Sequence, residues 1–535
     1  MAPVTLPTTP FHMPVSRDFG PLPSDAELRA LYPANLDLIN VQVLFRHGER
    51  TPVRARFQTW GLQPFWPFCK IAQQFSQTIV TFPNGAAMPF EYVRRLESVA
   101  RELPFNVPVP ASGFTPGEHD GLCMLGELTD LGRATGYTLG ERLRWLYVDK
   151  LRFIPPLFDD HAPFYFRSSH VARSNETLLS LLHGLYPTTY RDPELKPVIY
   201  TRLFPQENAY PNDENCKRLS ELGFMFSEVV ANRWNPVLAG YTSSKLTDVL
   251  PNGVAIDGSP RASGIFDTVA ACAAHGVDVP AGFKDKVVVD TLRDAVIDEW
   301  YLGVKSSNEY RKLAVGALVG DFMHRINLAV AADKKRSTTP FAGSPFTEML
   351  AKHAADRKTT PEKAVKMALY GSHDTTIASI LCALNAFDSK WPPFTSDLTI
   401  ELFAAPALHE GPDPSFAVAA PPQALAAVTT STPSTPTAIT PVPTQHRNYY
   451  VRLRYNDEPL TLPGCASTDA DHLPGNPTFC TLDAFSRVVA EFVPQNWERA
   501  CRTNLGKPIL DAPVIAKEFA SLPLKDDVVM QKAQA

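Results

Sequence analysis

Leu36-Asp-Leu-Ile-Asn-Val-Gln-Val-Leu-Phe-Arg46-His47-Gly48-Glu49-Arg50-Thr51-Pro52 carries an apolar, β-branched run straight into a basic turn. The run reads as a buried strand of an α/β sheet. The turn then falls just past the strand's carboxyl end, where open α/β sheets bind their ligands. Gly48 removes a side chain beside the histidine and frees the backbone to turn. Two guanidinium forks around one imidazole suit an anion with several oxygens, phosphate above all. An exposed basic loop is the plainer alternative, so the motif needs support from elsewhere in the chain.

Two further strand-to-helix junctions supply it. Phe164-Tyr-Phe-Arg167-Ser-Ser169 is a short strand leading to a helix with Leu178, Leu179, Leu181 and Leu182 available for burial. Lys366-Met-Ala-Leu-Tyr-Gly-Ser372 runs into His373-Asp374 and a helix with Ile377, Ile380, Leu381 and Leu384 inward. If these strands are parallel neighbours, Arg46, His47, Arg50, Arg167, His373 and Asp374 converge at one end of the sheet. Helix N-termini there would add N–H donors and a dipole that favours an anion. His119-Asp120 repeats the dipeptide but follows a Gly/Pro-rich loop with no strand before it, and is read as surface structure. His47, His373 and Asp374 are also potential metal ligands, yet the flanking arginines would repel a cation, and no metal is expected.

The whole chain narrows the classes. Its 535 residues allow more than one lobe, and a net charge of -5 argues against a nucleic-acid partner. No apolar run reaches the ~18 residues that span a bilayer, so no transmembrane segment is expected. The first residues, Met1-Ala-Pro-Val-Thr-Leu-Pro, lack the basic flank and apolar core of a secretory signal. An intracellular, cytoplasmic location follows, with a mitochondrial one as alternative. The eight cysteines show no Cys-x-x-Cys spacing, which argues against zinc. Without export they are expected to be mostly reduced thiols, Cys465 and Cys480 being the pair to test first.

The organisation expected is an α/β fold: a mixed, largely parallel sheet with helices on both faces and an inserted, mainly helical cap. Residues 1–34 form a proline-rich arm, 35–189 and 346–515 the core, 190–345 the cap, and 516–535 a tail. Residues 404–447, rich in Ala, Pro, Ser and Thr, are expected to be a disordered insertion between two antiparallel strands. A helix opens at Thr129, with Leu131, Tyr137, Leu139, Leu143 and Leu146 as its apolar stripe.

Arg46-His47-Gly48-x-Arg50-x-Pro52 resembles the signature of the histidine acid phosphatases, the second branch of the histidine phosphatase superfamily. Gly126-Glu-Leu-Thr129-Asp-Leu-Gly132, Phe166-Arg167-Ser168-Ser169 followed by Arg173, and Gly371-Ser-His373-Asp374-Thr375-Thr376 resemble its later motifs, in order. Tyr455-Asn-Asp-Glu-Pro-Leu460 and Phe492-Val-Pro-Gln-Asn-Trp497 are similar to its final strand and helix. The resemblance implies that His47 is a phosphohistidine-forming nucleophile and Asp374 the proton donor. It implies that Arg46, Arg50, Arg167 and His373 hold phosphate oxygens, with no cofactor and no metal. It also implies a small phosphate monoester as substrate. Positive charge that keeps His47 neutral in acid, and the proton that Asp374 must carry to act as acid, lead to an expected acidic optimum. Thr51 stands where phytase-like relatives tend to carry an aromatic residue. That favours a general, lysophospholipid or small-metabolite phosphatase over an inositol-phosphate phosphatase, with phosphomutase-like transfer as a further alternative.

Overall fold

Strand β1 (Asp37–Arg46) lies inside the sheet, and its side chains part to two cores. Val41, Val43 and Phe45 enter one apolar cluster, while Leu44 enters the other. Gln42, on the Leu44 face, is buried yet satisfied, donating from Nε2 to the Phe322 carbonyl at 3.0 Å. This is the alternation of a strand covered on both sides. The computed structural model describes residues 13, 15–80, 87–98, 117–336, 362–405 and 447–510.

The other strands are β2 (Phe164–Ser168), β3 (Ile199–Tyr200), β4 (Met367–Ser372), β5 (Asp397–Ala405), β6 (Asn448–Tyr455), β7 (Glu458–Pro459), β8 (His472–Leu473) and β9 (Asn476–Thr481). They lie in the order β8-β9-β6-β5-β1-β4-β2-β3, with β7 on β6. The sheet is mixed. Its three parallel ladders join β1, β4, β2 and β3, and the remaining five are antiparallel. Phe45 is level with Gly371, and Ser168 with the same glycine, so all three junctions end at one height.

Helices cover both faces. After the short α1 (Asp25–Leu31), α2 (Asp130–Leu143) and α3 (Ala172–Leu185) pack on the Val43 side. On the Leu44 side lie α4 (Lys217–Lys245), α5 (Ala262–His275), α6 (Lys286–Ser306), α7 (Ala317–Arg336), α8 (Asp374–Ala383) and α9 (Leu482–Ala490). The helical segment therefore shares one continuous core with the sheet. The helical run Asn308–Lys334 is long and apolar enough to cross a membrane, but 67% of its apolar window is buried inside the protein. Leu313, Leu318, Phe322 and Ile326 place it in the core.

The described part of the N-terminal arm is tied down. Arg17 is buried and pairs with Asp397, and with Asp457 at 2.7 Å. Of residues 404–447, Ala404 and Ala405 complete β5 and Arg447 precedes β6; the remainder, like the tail 516–535, lies outside the described residues.

The expectation of mostly reduced thiols is corrected. Cys69–Cys123, Cys216–Cys501 and Cys465–Cys480 are disulfides, and only Cys272 and Cys382 are free. Two of the bridges join residues 54 and 285 positions apart, pairings that linear spacing does not reveal.

Candidate active site

The turn after β1 is held by close backbone approach. A Cβ at Gly48 would lie 2.2 Å from the Gly132 carbonyl oxygen, and one at Gly132 would lie 2.2 Å from that of Glu49. Gly48 is thus required for contact with the start of α2, not for a left-handed turn. Its N–H donates to Thr177 Oγ1 of α3 at 3.0 Å. Thr129 caps α2 by accepting from Gly132 N, and its hydroxyl donates to the Glu49 carbonyl at 3.1 Å.

These contacts fix His47. Its Nδ1 lies 2.9 Å from the Gly48 carbonyl, which can only accept, so Nδ1 carries the proton and Nε2 keeps its lone pair. The ring is 2% exposed. Burial, then the charges of Arg173, Arg50 and Arg46, hold its pKa well below the usual imidazole value. Burial among these charges therefore favours a neutral His47 ring even in acid.

Three arginines surround it. Arg46 reaches Asp374 Oδ2 from Nη2 at 2.8 Å and the Pro392 carbonyl from Nη1 at 2.6 Å, and lies over Phe394 at 3.9 Å. Arg50 reaches Asp267 Oδ1 of α5 at 2.7 Å. Arg173, in the first turn of α3, forms no ion pair among the described residues, and burial pushes its pKa down to about 10. Among the described residues, the Nε–H of all three is buried without a partner. Unsatisfied donors crowded around one imidazole are what a multi-oxygen anion completes.

Arg167 requires a correction. Its guanidinium turns away, giving Nη2 to Glu207 Oε1 at 2.5 Å and Asn208 Oδ1 at 2.7 Å, and Nη1 to Asp321 at 3.3 Å. The charge that acts most strongly on both His47 and His373 is that of Arg173. Arg167 fastens the loop at Glu207–Ala209 instead. The Ala209 carbonyl then accepts from Ser372 Oγ and Thr376 Oγ1 at 2.5 and 2.7 Å, on either side of His373-Asp374. The third arginine beside His47 is Arg173.

His373 lies 5.5 Å from His47 between ring centres, with Tyr210 at its edge. Its Nε2 is 3.1 Å from Ser169 Oγ, and burial followed by Arg173 pushes its pKa down to about 3. Asp374 caps the group. Burial would raise its carboxyl pKa, but Arg46 and Arg50 more than reverse this and hold it below the ordinary value. Trp391 Nε1 donates to its Oδ2 at 3.0 Å, and Thr375 N to Oδ1 at 2.8 Å. His119 instead sits in a separate short ribbon with Leu96–Ser98, and Asp120 is exposed.

With the geometry in place, the family model of the histidine phosphatase superfamily (branch 2) matches residues 37–456. The chain belongs to that superfamily. This branch-2 histidine phosphatase is 34% identical over 477 residues to a probable acid phosphatase of Schizosaccharomyces pombe, covering 88% of this chain and 95% of the relative. It is 28% identical to human lysophosphatidic acid phosphatase type 6, over 69% of this chain and 74% of the relative. Among solved structures, a Hafnia alvei phytase in complex with tartrate aligns at a TM-score of 0.45 and 15% identity, covering 88% of this chain and 99% of that one. The branch-2 histidine phosphatase is an enzyme, an acid phosphatase acting on phosphate monoesters.

Proposed function

We propose that hydrolysis runs through a phosphohistidine on His47. The observation that carries this is the Nδ1 contact to the Gly48 carbonyl, which leaves Nε2 as a fixed lone pair among Arg46, Arg50 and Arg173. Nε2 attacks phosphorus as the bond to the leaving oxygen breaks, and Asp374 gives that oxygen its proton. Water then attacks the phosphohistidine, Asp374 takes its proton, and the P–N bond breaks to release inorganic phosphate. The arginines and neutral His373 hold the nonbridging oxygens in line. None of these steps calls for a metal or an organic cofactor.

Asp374 starts as a carboxylate in the free enzyme, since Arg46 and Arg50 lower its pKa. The negative phosphoryl group offsets those charges and raises the pKa, preparing the carboxyl as an acid in the complex. For substrate, the name of the human relative and the absence of an aromatic side chain at Thr51 favour a lysophospholipid or small-metabolite monoester. Inositol phosphates are the second reading. Three disulfides favour maturation in an oxidising compartment over the cytoplasmic location expected from the N-terminus.

Rapid quench into alkali, which preserves phosphohistidine, tests the intermediate. Label from a phosphate monoester is expected on His47, with none on His47→Ala. A labelled His47→Ala enzyme would overturn the assignment. Turnover of p-nitrophenyl phosphate without a sugar-phosphate cofactor separates hydrolysis from mutase chemistry.

A further inference from the structure

The strands Gln74–Val80 and Ala87–Val93 form a two-stranded antiparallel ribbon outside the main sheet. Seven residues a strand make it about 23 Å long. Neither strand carries a charge except at Glu91. Phe75 is opposite Tyr92 and Gln77 opposite Phe90, so Phe75, Phe90, Tyr92 and Met88 share one face, with Phe75 and Tyr92 stacked at 5.1 Å. Among the described residues no core covers that face: Phe90 is 53% exposed and Met88 48%, and on the opposite face Val93 is 60% exposed. The opposite face carries Gln74, Ser76, Thr78 and Glu91 beside Val93, so the ribbon is apolar along one face, and an apolar face this exposed suits the boundary of an apolar medium.

The ribbon's foot is joined to the mouth of the active site. Arg94 stacks on Phe75, pairs with Glu127 at 2.6 Å and reaches Met124 Sδ at 3.5 Å. Glu127 N donates to Thr51 Oγ1, next to Arg50, and a Cβ on neighbouring Gly126 would meet Arg173 Nη1 at 3.7 Å. Val53, Met124 and Leu125 continue the exposed apolar surface around this mouth. Basic residues lie at the foot, with Arg94 and Arg95 in sequence and the exposed Arg54 on the loop after β1. An exposed apolar face with bases at its root is the distribution of an element that lies in a lipid interface. The Cys69–Cys123 disulfide closes the chain on either side of this excursion.

We propose that the ribbon docks the enzyme on a lipid surface, Met88, Phe90 and Tyr92 entering the acyl boundary and the catalytic mouth lying at headgroup level. The choice of a lipid surface as partner rests on the reading of the site as a lysophospholipid phosphatase. Full-length protein is sedimented with phosphatidylcholine vesicles containing about one-fifth phosphatidic acid. Wild type is expected to pellet, and the Met88→Asp/Phe90→Asp variant to bind at least about tenfold more weakly. Both should turn over soluble p-nitrophenyl phosphate equally, which also reports an intact fold. Phe90→Trp should shift its emission to the blue when vesicles are added. Wild type that fails to pellet, a double variant that pellets equally, or an unshifted tryptophan overturns the proposal. So does a wild-type dimer that the same substitutions disperse in sedimentation velocity, since the face then belongs to a second copy. If vesicles bind as expected while lysophosphatidate in them is not hydrolysed, docking stands and the substrate reading fails.

Discussion

At the residue scale the anion site turns on which arginine is free. Arg173→Ala removes a buried donor from beside His47 and is expected to lower kcat/KM on p-nitrophenyl phosphate by about 10²-fold, with a matching loss of inhibition by inorganic phosphate. Arg167→Lys should instead leave phosphate inhibition near wild type while lowering Tm, because Arg167 is held by Glu207, Asn208 and Asp321. Phosphate inhibition lost in Arg167→Lys at an unchanged Tm would reverse the two roles. Asp374 gives a second test. Trp391 Nε1 donates to its Oδ2, which favours the ionised form. Trp391→Phe therefore raises the carboxyl pKa, keeps the acid protonated further up the scale, and moves the alkaline limb of the kcat–pH profile upward. A limb that stays put would argue against Asp374 as the proton donor. Arg46, His47, Arg50 and His373-Asp374 were legible because each stands at a strand's end, where backbone position alone delivers it. Arg167 was misread for the same reason. A strand end fixes where a long side chain starts, and its guanidinium follows carboxylates that lie 40 and 154 residues away.

At the element scale the α2–α3 pair carries the turn of Gly48, and its packing departs from the expected stripe. Leu139, Leu143 and Leu146 are buried, but Leu131 and Tyr137 are only half-buried, and Gly136 and Gly140 line the contact instead. A leucine pattern predicts side chains between helices, whereas here the backbones touch. A Cβ on Gly140 would lie 2.0 Å from the Leu181 carbonyl oxygen, and one on Gly184 would lie 2.1 Å from that of Tyr137. Gly140→Ala is thus expected to cost roughly 2–3 kcal/mol by forcing the helices apart. Gly240→Ala in α4, where nothing lies within 4 Å, should stabilise by about 0.5–1 kcal/mol through helix propensity alone. Chemical denaturation of the two variants checks both signs. Gly140→Ala should also slow turnover, since α2 abuts Gly48 and Glu49. The strands were easier to read, because burial on both faces leaves an apolar run that no helix of that length requires. The antiparallel extension beyond β5 was visible only as alternation in β5 and β6.

At the scale of the whole molecule, the chemistry and the stability of this phosphatase pull in opposite directions with pH. His47 and His373 are buried and neutral, with folded pKa values well below the ordinary 6.5, that of His373 at about 3. Unfolded, each takes a proton near pH 6.5, so the unfolded state binds more protons and stability falls as pH drops below that value. The loss approaches about 1.4 kcal/mol per pH unit for each ring until its folded pKa is reached. Asp374 adds to it at the acid end. Its folded pKa is depressed below 3.8, so the stability it contributes above that value disappears as pH falls through the folded pKa. Acid favours the proton donor in the complex and weakens the free fold. The disulfides counter this by closing the unfolded chain, Cys216–Cys501 tying α4 to the C-terminal segment, a constraint typically worth about 2–4 kcal/mol. Bound phosphate counters it too, by mass action on the folded state. Calorimetry in phosphate-free buffer should show Tm falling steadily from pH 7 to pH 4, with a shallower fall for His373→Gln, which removes one of the two rings. Cys216→Ser/Cys501→Ser should lower the whole curve without changing its slope, because that bridge touches neither histidine. A wild-type Tm that stays level across this range would mean that the histidines ionise in place, and the neutral Nε2 on which the mechanism depends would go with them.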